Sequence, residues 1–187
     1  MIEETRDTFE SLIRDQLAFG GIKYANTNEK EVTDVLCEDF GIRGLLWTLG
    51  KYIFRFRNQG KEKDLLKIGA YAYILWLKRG FHINPHGTDE IINTTVRVKQ
   101  KHFNDFLNAV SEFQKFSDED SDDIMQAYLF IKAIAREPFT MVPVYWLYLI
   151  WGVAERIWNE QFVNCEVRDT DTWNSDFQSG KINGVIK

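Results

Sequence analysis

The sequence predicts an all-α protein, a helical bundle of about seven helices. Apolar residues recur at three- and four-residue spacing along most of the chain, a spacing that gives a helix one apolar face. Only three prolines occur in 187 residues, so long helices can continue without interruption. Apolar side chains make up 44% of the chain and aromatic side chains 14%, which is enough to fill a core between helices.

The first forty residues are predicted to contain two helices. Helix one covers residues 4–19, with apolar residues at helical spacing, and we expect Gly20 and Gly21 to end it. Helix two begins near Asn28. Asn28 and Glu31 have the spacing of a capping box, in which each side chain accepts a hydrogen bond from the other residue's backbone N–H.

The next two helices are predicted to form a hairpin. Helix three covers residues 44–57, after breaks in the chain at Gly41 and Gly44. A polar turn follows, and helix four covers residues 61–79. Gly80 comes directly after two cationic residues, which is typical of a helix C-terminus closed by a left-handed residue.

Residues 81–98 separate two helical halves. This segment contains an Asn-Pro pair and a β-branched stretch, which is typical of a loop or an extended crossover. We therefore expect a first half at residues 1–80 and a second at 99–187, the latter ending in a polar arm. Each half has one helix rich in aromatic residues, which is compatible with a weak internal repeat of the two halves. Three helices are predicted in the second half, over residues 99–116, 122–137 and 141–162.

Charge and composition limit the partners. The net charge of −5 argues against an extended nucleic-acid partner, which requires a broad basic face. Two distant cysteines that fit no metal spacing favour a reducing compartment, and the N-terminus lacks a signal-peptide pattern, so we expect a cytoplasmic protein.

The uncharged run at residues 141–154 would span about 21 Å as a helix, short of the roughly 30 Å hydrocarbon core. We expect it to be a buried helix rather than a membrane span.

Three carboxylates share one face of predicted helix two. Glu31, Asp34 and Glu38 lie at i, i+3 and i+7, which brings them to one side of a helix. Clustered carboxylates can hold Mg²⁺, which prefers oxygen ligands and often bridges to substrate phosphates. The sequence therefore offers a candidate magnesium site. The alternative interpretation is a solvated acidic helix face.

A group of cations surrounds the turn between predicted helices three and four. Lys51 and Arg55 lie at i and i+4 on one face, and Lys61 follows in the turn. Lysine and arginine near a helix N-terminus suit a phosphate group, because their charges act together with exposed N–H groups. Asp64, at the start of helix four, is a further candidate metal ligand. The alternative is a surface ion-pair lattice, with Arg55 paired to Asp64.

The stretch from residue 45 to 79 contains two short motifs. One is Lys51-Tyr52-Ile53-x-Arg55, and the other is Asp64-Leu65-x-Lys67, followed by an aromatic-rich helix. This pattern resembles a helical hairpin of small phage proteins related to the MazG-like, all-α nucleotide pyrophosphohydrolases, and the resemblance covers residues 20–80. It implies a helical bundle that is often dimeric. It also implies that clustered carboxylates and Mg²⁺ cleave a nucleoside triphosphate.

The lead hypothesis is therefore a nucleotide-handling protein. It would bind a nucleotide or another phosphorylated small molecule, and as an enzyme it would hydrolyse the ligand with Mg²⁺. The family's second acidic motif is absent where we expect it, since predicted helix four has Gly69, Ala70 and Tyr71 there. This departure favours an alternative, a non-catalytic phage protein that sequesters a nucleotide signal or inhibits a host defence factor. A third hypothesis makes the second half a docking module, and a homo-oligomer stays open.

Overall fold

The described part of this chain is predominantly helical. The computed structural model describes residues 7–25, 37–84, 92, 101–116, 123–136 and 143–163. These residues form α-helices, one π-helical turn and short connections, with no strand among them. The predicted all-α fold is confirmed.

Six α-helices organise the described residues. They are α1 (Phe9–Ala25), α2 (Ile42–Gln59), α3 (Glu62–Lys78), α4 (Phe103–Gln114), α5 (Ile124–Arg136) and α6 (Tyr145–Trp158). The π-helical turn Asn159–Val163 continues α6, and residues 37–40 are helical before the chain turns at Gly41.

Glycines in the left-handed conformation end or separate these helices. Gly60 has φ 60°, and its backbone N–H donates to the carbonyl oxygen of Phe56 at 2.7 Å, which closes α2. Gly41 and Gly80 also have positive φ, at 62° and 67°. Only Gly60 and Lys61 separate α2 from α3, and a connection this short makes the two helices antiparallel neighbours. The predicted hairpin is confirmed.

Two predicted helix breaks are wrong. The α1 backbone continues through Gly20 and Gly21 to Ala25, and Gly44 lies inside α2. A glycine inside a helix costs only about 1 kcal/mol relative to alanine, so neighbouring residues can carry the helix through it. A glycine ends a helix where the backbone adopts positive φ, and neither Gly20, Gly21 nor Gly44 does so.

Four helices form a closed ring. In that ring α2 packs on α3, α3 on α6, α6 on α5, and α5 on α2. The outer helices α1 and α4 both pack on α3, and α4 also packs on α6. Arg14 of α1 joins these two outer helices, because its Nη2 donates to Asn104 Oδ1 of α4 at 2.7 Å. Its guanidinium also lies 5.0 Å from the centre of the Phe103 ring. The α3–α6 side of the ring is therefore covered by a second layer.

One hydrophobic core contains helices from both sides of residues 81–98. The Trp151 ring of α6 lies 5.1 Å from Phe9, 5.9 Å from Phe103 and 5.3 Å from Phe106, measured between ring centres. Tyr73 of α3 contacts the same two α4 rings at 5.0 and 5.4 Å. The described helices before and after the predicted boundary thus pack together, and the proposed division into halves stays a prediction.

Helix α6 crosses the middle of this core. It contains most of the uncharged run at residues 141–154, and its buried residues include Leu147, Ile150 and Trp151. The expectation of a buried core helix is confirmed for this segment. Among the helices that the structure describes, none has both the length and the hydropathy that a membrane span requires.

Candidate functional site

A groove of about 620 Å³ lies between α2 and α5. Helix α2 supplies residues three and four positions apart, so one continuous face of the helix lines the groove along four turns. Helix α5 supplies the opposite wall. The lining residues are Arg43, Leu46, Trp47, Gly50, Lys51, Phe54, Arg55 and Asn58 from α2, and Tyr128, Ile131, Lys132 and Ala135 from α5.

Gly50 leaves the floor of this groove open. It is buried, yet a Cβ atom built on it would meet no described atom within 4 Å. Gly69 of α3 is the opposite case, because a Cβ atom there would lie 2.5 Å from Ile13 Cδ1 and 2.9 Å from Phe9 Cζ of α1. An outer helix therefore fills the space beside Gly69, whereas no described helix fills the space beside Gly50.

The groove is positively charged. Arg43, Lys51, Arg55 and Lys132 line it, and no acidic side chain is among the described lining residues. The whole chain carries a net charge of −5, so this concentration of cations is a local departure from the average surface. Such a patch attracts an anionic ligand and repels a cationic one.

Aromatic side chains lie between these cations. Trp47 is 80% exposed and Phe54 is 39% exposed, although both are large and apolar. The Phe54 ring meets the edge of Tyr128 across the groove, with ring centres 4.9 Å apart and an interplanar angle of 66°. An exposed tryptophan on a groove wall is a surface on which a planar ligand can stack.

Tyr52 orders two of the cations. Lys51 Nζ lies 4.7 Å and the Arg55 guanidinium 5.6 Å from the centre of the Tyr52 ring. Tyr52 itself packs against Tyr71 of α3, with ring centres 5.7 Å apart. Attraction between a cation and an aromatic face is worth about 0.5–1 kcal/mol at an exposed site, enough to limit the directions that each cation samples. Lys51 and Arg55 are thus held one helical turn apart beside the groove.

Asp64 anchors Arg55 from behind. Its Oδ1 lies 3.4 Å from Arg55 Nη2, and its side chain is 1% exposed. Burial raises the pKa of the Asp64 carboxyl, and Arg55, Lys63, Lys61 and Lys51 lower it by a smaller total. The predicted phosphate ligands therefore all contribute positive charge at this one carboxyl. The Arg55–Asp64 ion pair of the alternative interpretation is present, and Asp64 is not part of the groove lining.

The remaining predicted site residues lie elsewhere. Lys61 is exposed at the start of α3 and is not part of the groove lining. Glu38 is exposed in the helical residues 37–40, and Glu31 and Asp34 lie outside the described residues. Within the described ranges, no three His, Cys, Asp or Glu side chains are grouped as metal ligands. The magnesium site formed by Glu31, Asp34, Glu38 and Asp64 stays a prediction.

Two of the four cations that line the groove, Lys51 and Arg55, were predicted as site residues from the sequence. Lys51 and Arg55 have helical spacing that is visible in the sequence, and Arg43 and Trp47 continue the same four-residue row toward the N-terminus of α2. That row could have been extended from the sequence alone. Tyr128 and Lys132 could not be added in this way, because local periodicity does not say that α5 packs beside α2.

A second cleft, of about 540 Å³, lies between α4 and α6. Its lining residues are Phe113, Gln114, Tyr148, Leu149, Gly152, Val153, Glu155, Arg156, Asn159 and Glu160. Glu155 Oε2 accepts a hydrogen bond from Trp151 Nε1 at 3.1 Å, and its carboxyl is also hydrogen-bonded to Gln114 and Glu10. Burial, together with the nearby Glu10, raises the pKa of Glu155 to about 7. The cleft therefore contains a carboxyl group that binds a proton near neutral pH.

Comparison with protein-family models, with curated proteins and with solved structures gave no match for this chain. The resemblance to MazG-like proteins therefore stays a hypothesis drawn from the two motifs in α2 and α3.

Proposed function

We propose that this chain binds a nucleotide in the groove between α2 and α5. The observation that supports this proposal most strongly is the lining of the groove. Four cations and three aromatic side chains line it, without an acidic side chain among the described lining residues. Phosphate groups would contact Lys51 and Arg55, and the base would stack on the exposed aromatic rings. A nucleotide combines the negative charge and the planar apolar ring that such a groove favours.

The cations are suited to phosphate by chemistry and by position. Arginine presents a planar set of N–H donors that can contact two phosphate oxygens at once, and lysine adds a mobile point charge. Tyr52 and Asp64 restrain Arg55 from two sides before any ligand arrives. Less conformational entropy is then lost when phosphate binds, which strengthens binding.

Binding without hydrolysis is the version that the groove favours. Hydrolysis in a MazG-like manner requires carboxylates that hold Mg²⁺ next to the phosphates. The described lining residues of the groove supply none, and the described candidates Glu38 and Asp64 lie outside that lining. A sequestering protein requires only the cations and the aromatic rings. Mg²⁺-dependent hydrolysis through Glu31, Asp34 and Glu38 stays the enzymatic alternative.

The test is incubation of the full chain with a panel of ribonucleotides, deoxynucleotides and cyclic nucleotides plus Mg²⁺. Ion-exchange chromatography before and after heat denaturation then reports the free nucleotides. We expect one class of nucleotide to leave the free pool and to return intact on heating. New product peaks would instead support the enzymatic version, and an unchanged free pool would contradict nucleotide binding.

The variant that localises binding is Lys51→Ala combined with Arg55→Ala. Removal of two charged contacts to phosphate, at about 1.5–3 kcal/mol each, should weaken binding at least 100-fold. Arg57→Ala is the matched control, because Arg57 is an exposed cation on the same helix outside the groove lining. Circular dichroism should show that both proteins remain folded. Equal loss of binding in the Arg57→Ala protein would mean that net charge, not the groove, holds the ligand.

A further inference from the structure

We propose that the ligand of this groove is a short single-stranded oligonucleotide, with a length of about two or three nucleotides. The inference rests on the proposed function, since it takes nucleotide binding in the groove as given. It concerns how many nucleotides the groove is built to hold.

The cations of α2 extend along the helix beyond the pair that one phosphate group contacts. Lys51 and Arg55 are four positions apart, or about 6 Å along the helix, so one phosphate group can contact both. Arg43 and Arg55 are twelve positions apart, or about 18 Å. The phosphates of a nucleoside triphosphate share bridging oxygens and form one anionic group that is compact compared with this separation along the helix. A ligand that uses the whole groove must distribute its negative charges along the helix.

The groove face of α2 carries aromatic rings as well as cations. In sequence, Trp47 lies between Arg43 and Lys51, and Phe54 lies between Lys51 and Arg55. A single strand alternates one phosphate with one planar base, so its chemical repeat supplies a partner for the cations and for the rings. An acidic peptide could neutralise the same cations, but its carboxylates bring no planar ring to Trp47, which is 80% exposed.

The number of cations limits the length of the strand. Four cations line the groove, and the chain around them has a net charge of −5. A longer strand would leave the groove and meet a surface that is acidic on average, where each further phosphate gains no counterion release. The affinity should therefore stop rising once the groove is full.

The test is isothermal titration calorimetry of the full chain with mixed-base, single-stranded nucleic acids of one, two, three and six nucleotides. Both DNA and RNA series are used, and a hexaglutamate peptide is the competing probe. We expect the affinity to rise about thirtyfold or more from one to three nucleotides, because two further bases stack on the aromatic rings of the groove. The six-nucleotide strand should bind no more than a few-fold more tightly than the three-nucleotide strand.

The Arg43→Ala variant separates length from phosphate binding. It should weaken trinucleotide binding about tenfold and mononucleotide binding by a much smaller factor, because only the longer ligand reaches Arg43. Arg57→Ala should change neither. Equal affinities for one and three nucleotides, together with no effect of Arg43→Ala, would overturn the inference and leave the proposed function standing.

Three other outcomes of the calorimetric titration would also contradict the inference. Absence of binding at every nucleotide length would overturn the proposed function together with the inference. Tighter binding of hexaglutamate than of the trinucleotide would overturn both in favour of docking by an acidic protein segment. An affinity that keeps rising up to six nucleotides would contradict the limit of two or three.

Discussion

The groove between α2 and α5 and the cleft between α4 and α6 have similar volumes but opposite chemistry. In the groove, Arg43 and Trp47 are exposed and available to a ligand. In the cleft, Glu155 is already engaged by Trp151, Gln114 and Glu10 from the protein itself. The cleft also mixes acidic and cationic side chains, whereas the described groove lining carries only one sign of charge. The two cavities therefore differ in the charge of their lining and in the exposure of their charged groups, although their volumes are similar.

The two regions also differ in what surrounds them. A Cβ atom on Gly152 of α6 would lie 3.2 Å from Gln114 Nε2, so the Gln114 side chain of α4 occupies the space beside this glycine. Gly50 of α2 has no described neighbour in the corresponding position and leaves open space. The space beside the glycine is thus filled by a side chain of the protein in the cleft and is open in the groove.

Filling the groove should have the largest effect. Gly50→Leu adds a side chain where a Cβ atom meets no described atom, so the groove becomes blocked while the helix remains unstrained. We expect nucleotide binding to weaken more than 100-fold, and the free energy of unfolding to rise by up to about 1 kcal/mol because leucine has the higher helix propensity. Calorimetric titration and chemical denaturation measure the two quantities.

Gly69→Ala is the matched substitution on a packed face. The new methyl group would collide with Ile13 and Phe9, and overpacking of this kind costs about 1–3 kcal/mol of stability. Nucleotide binding should be unchanged at a temperature where the variant remains folded. Undiminished nucleotide binding by the Gly50→Leu protein would show that the groove is not the binding site for the nucleotide.

Ionisation of Glu155 in the cleft should make the free energy of unfolding depend on pH. The pKa of Glu155 is about 7 in the folded protein, whereas an unfolded glutamate ionises near 4.5. The folded state therefore retains a proton that the unfolded state releases. The free energy of unfolding should fall as pH rises from about 4.5 to about 7, by about 3 kcal/mol in total, and should stay level above that range.

Glu155→Gln should remove this fall in stability, because glutamine keeps a neutral hydrogen-bonding group at every pH. Glu160→Gln is the control, since Glu160 is an exposed glutamate that lines the same cleft. Urea denaturation at a series of pH values from acid to mildly alkaline would measure the slopes. A slope in Glu155→Gln that equals the slope of the parent protein would show that this carboxyl is not the titrating group.

The smallest expected effect is that of Trp47→Ala. Its indole is 80% exposed and contributes little to packing, so the free energy of unfolding should change by less than about 0.5 kcal/mol. Loss of the stacking surface should weaken nucleotide binding about tenfold. Trp47→Phe should restore most of that affinity. A Trp47→Ala protein that binds as tightly as the parent would remove the aromatic part of the proposal and leave only the cations.

The α2–α3 hairpin could be predicted because its determinants are local. Helical periodicity defines both helices, and Gly60 and Gly80 occupy the positions where positive φ is needed. Gly20 and Gly21 were expected to end a helix by the same rule, and they do not, because a glycine permits a break without requiring one. Local signals therefore located the hairpin well and some helix ends poorly.

The candidate site could be predicted only in part, for a related reason. Lys51 and Arg55 share one face of one helix, which periodicity reveals. Lys132 reaches the groove only because α5 packs beside α2, and the pKa of Glu155 is raised only because packing buries its carboxyl and α1 brings Glu10 close to it. Both facts depend on tertiary packing, which composition and spacing along the chain do not encode locally.

The most direct test of nucleotide binding in the groove is a comparison of the parent protein with the Gly50→Leu variant. The comparison measures which nucleotides each protein retains from one mixed pool. Equilibrium dialysis against that pool, followed by chromatography of the bound fraction, gives the answer for both proteins under identical conditions. The groove proposal expects bound, intact nucleotide on the parent protein and none above background on Gly50→Leu. Equal retention by the two proteins, or retention by neither, would contradict it.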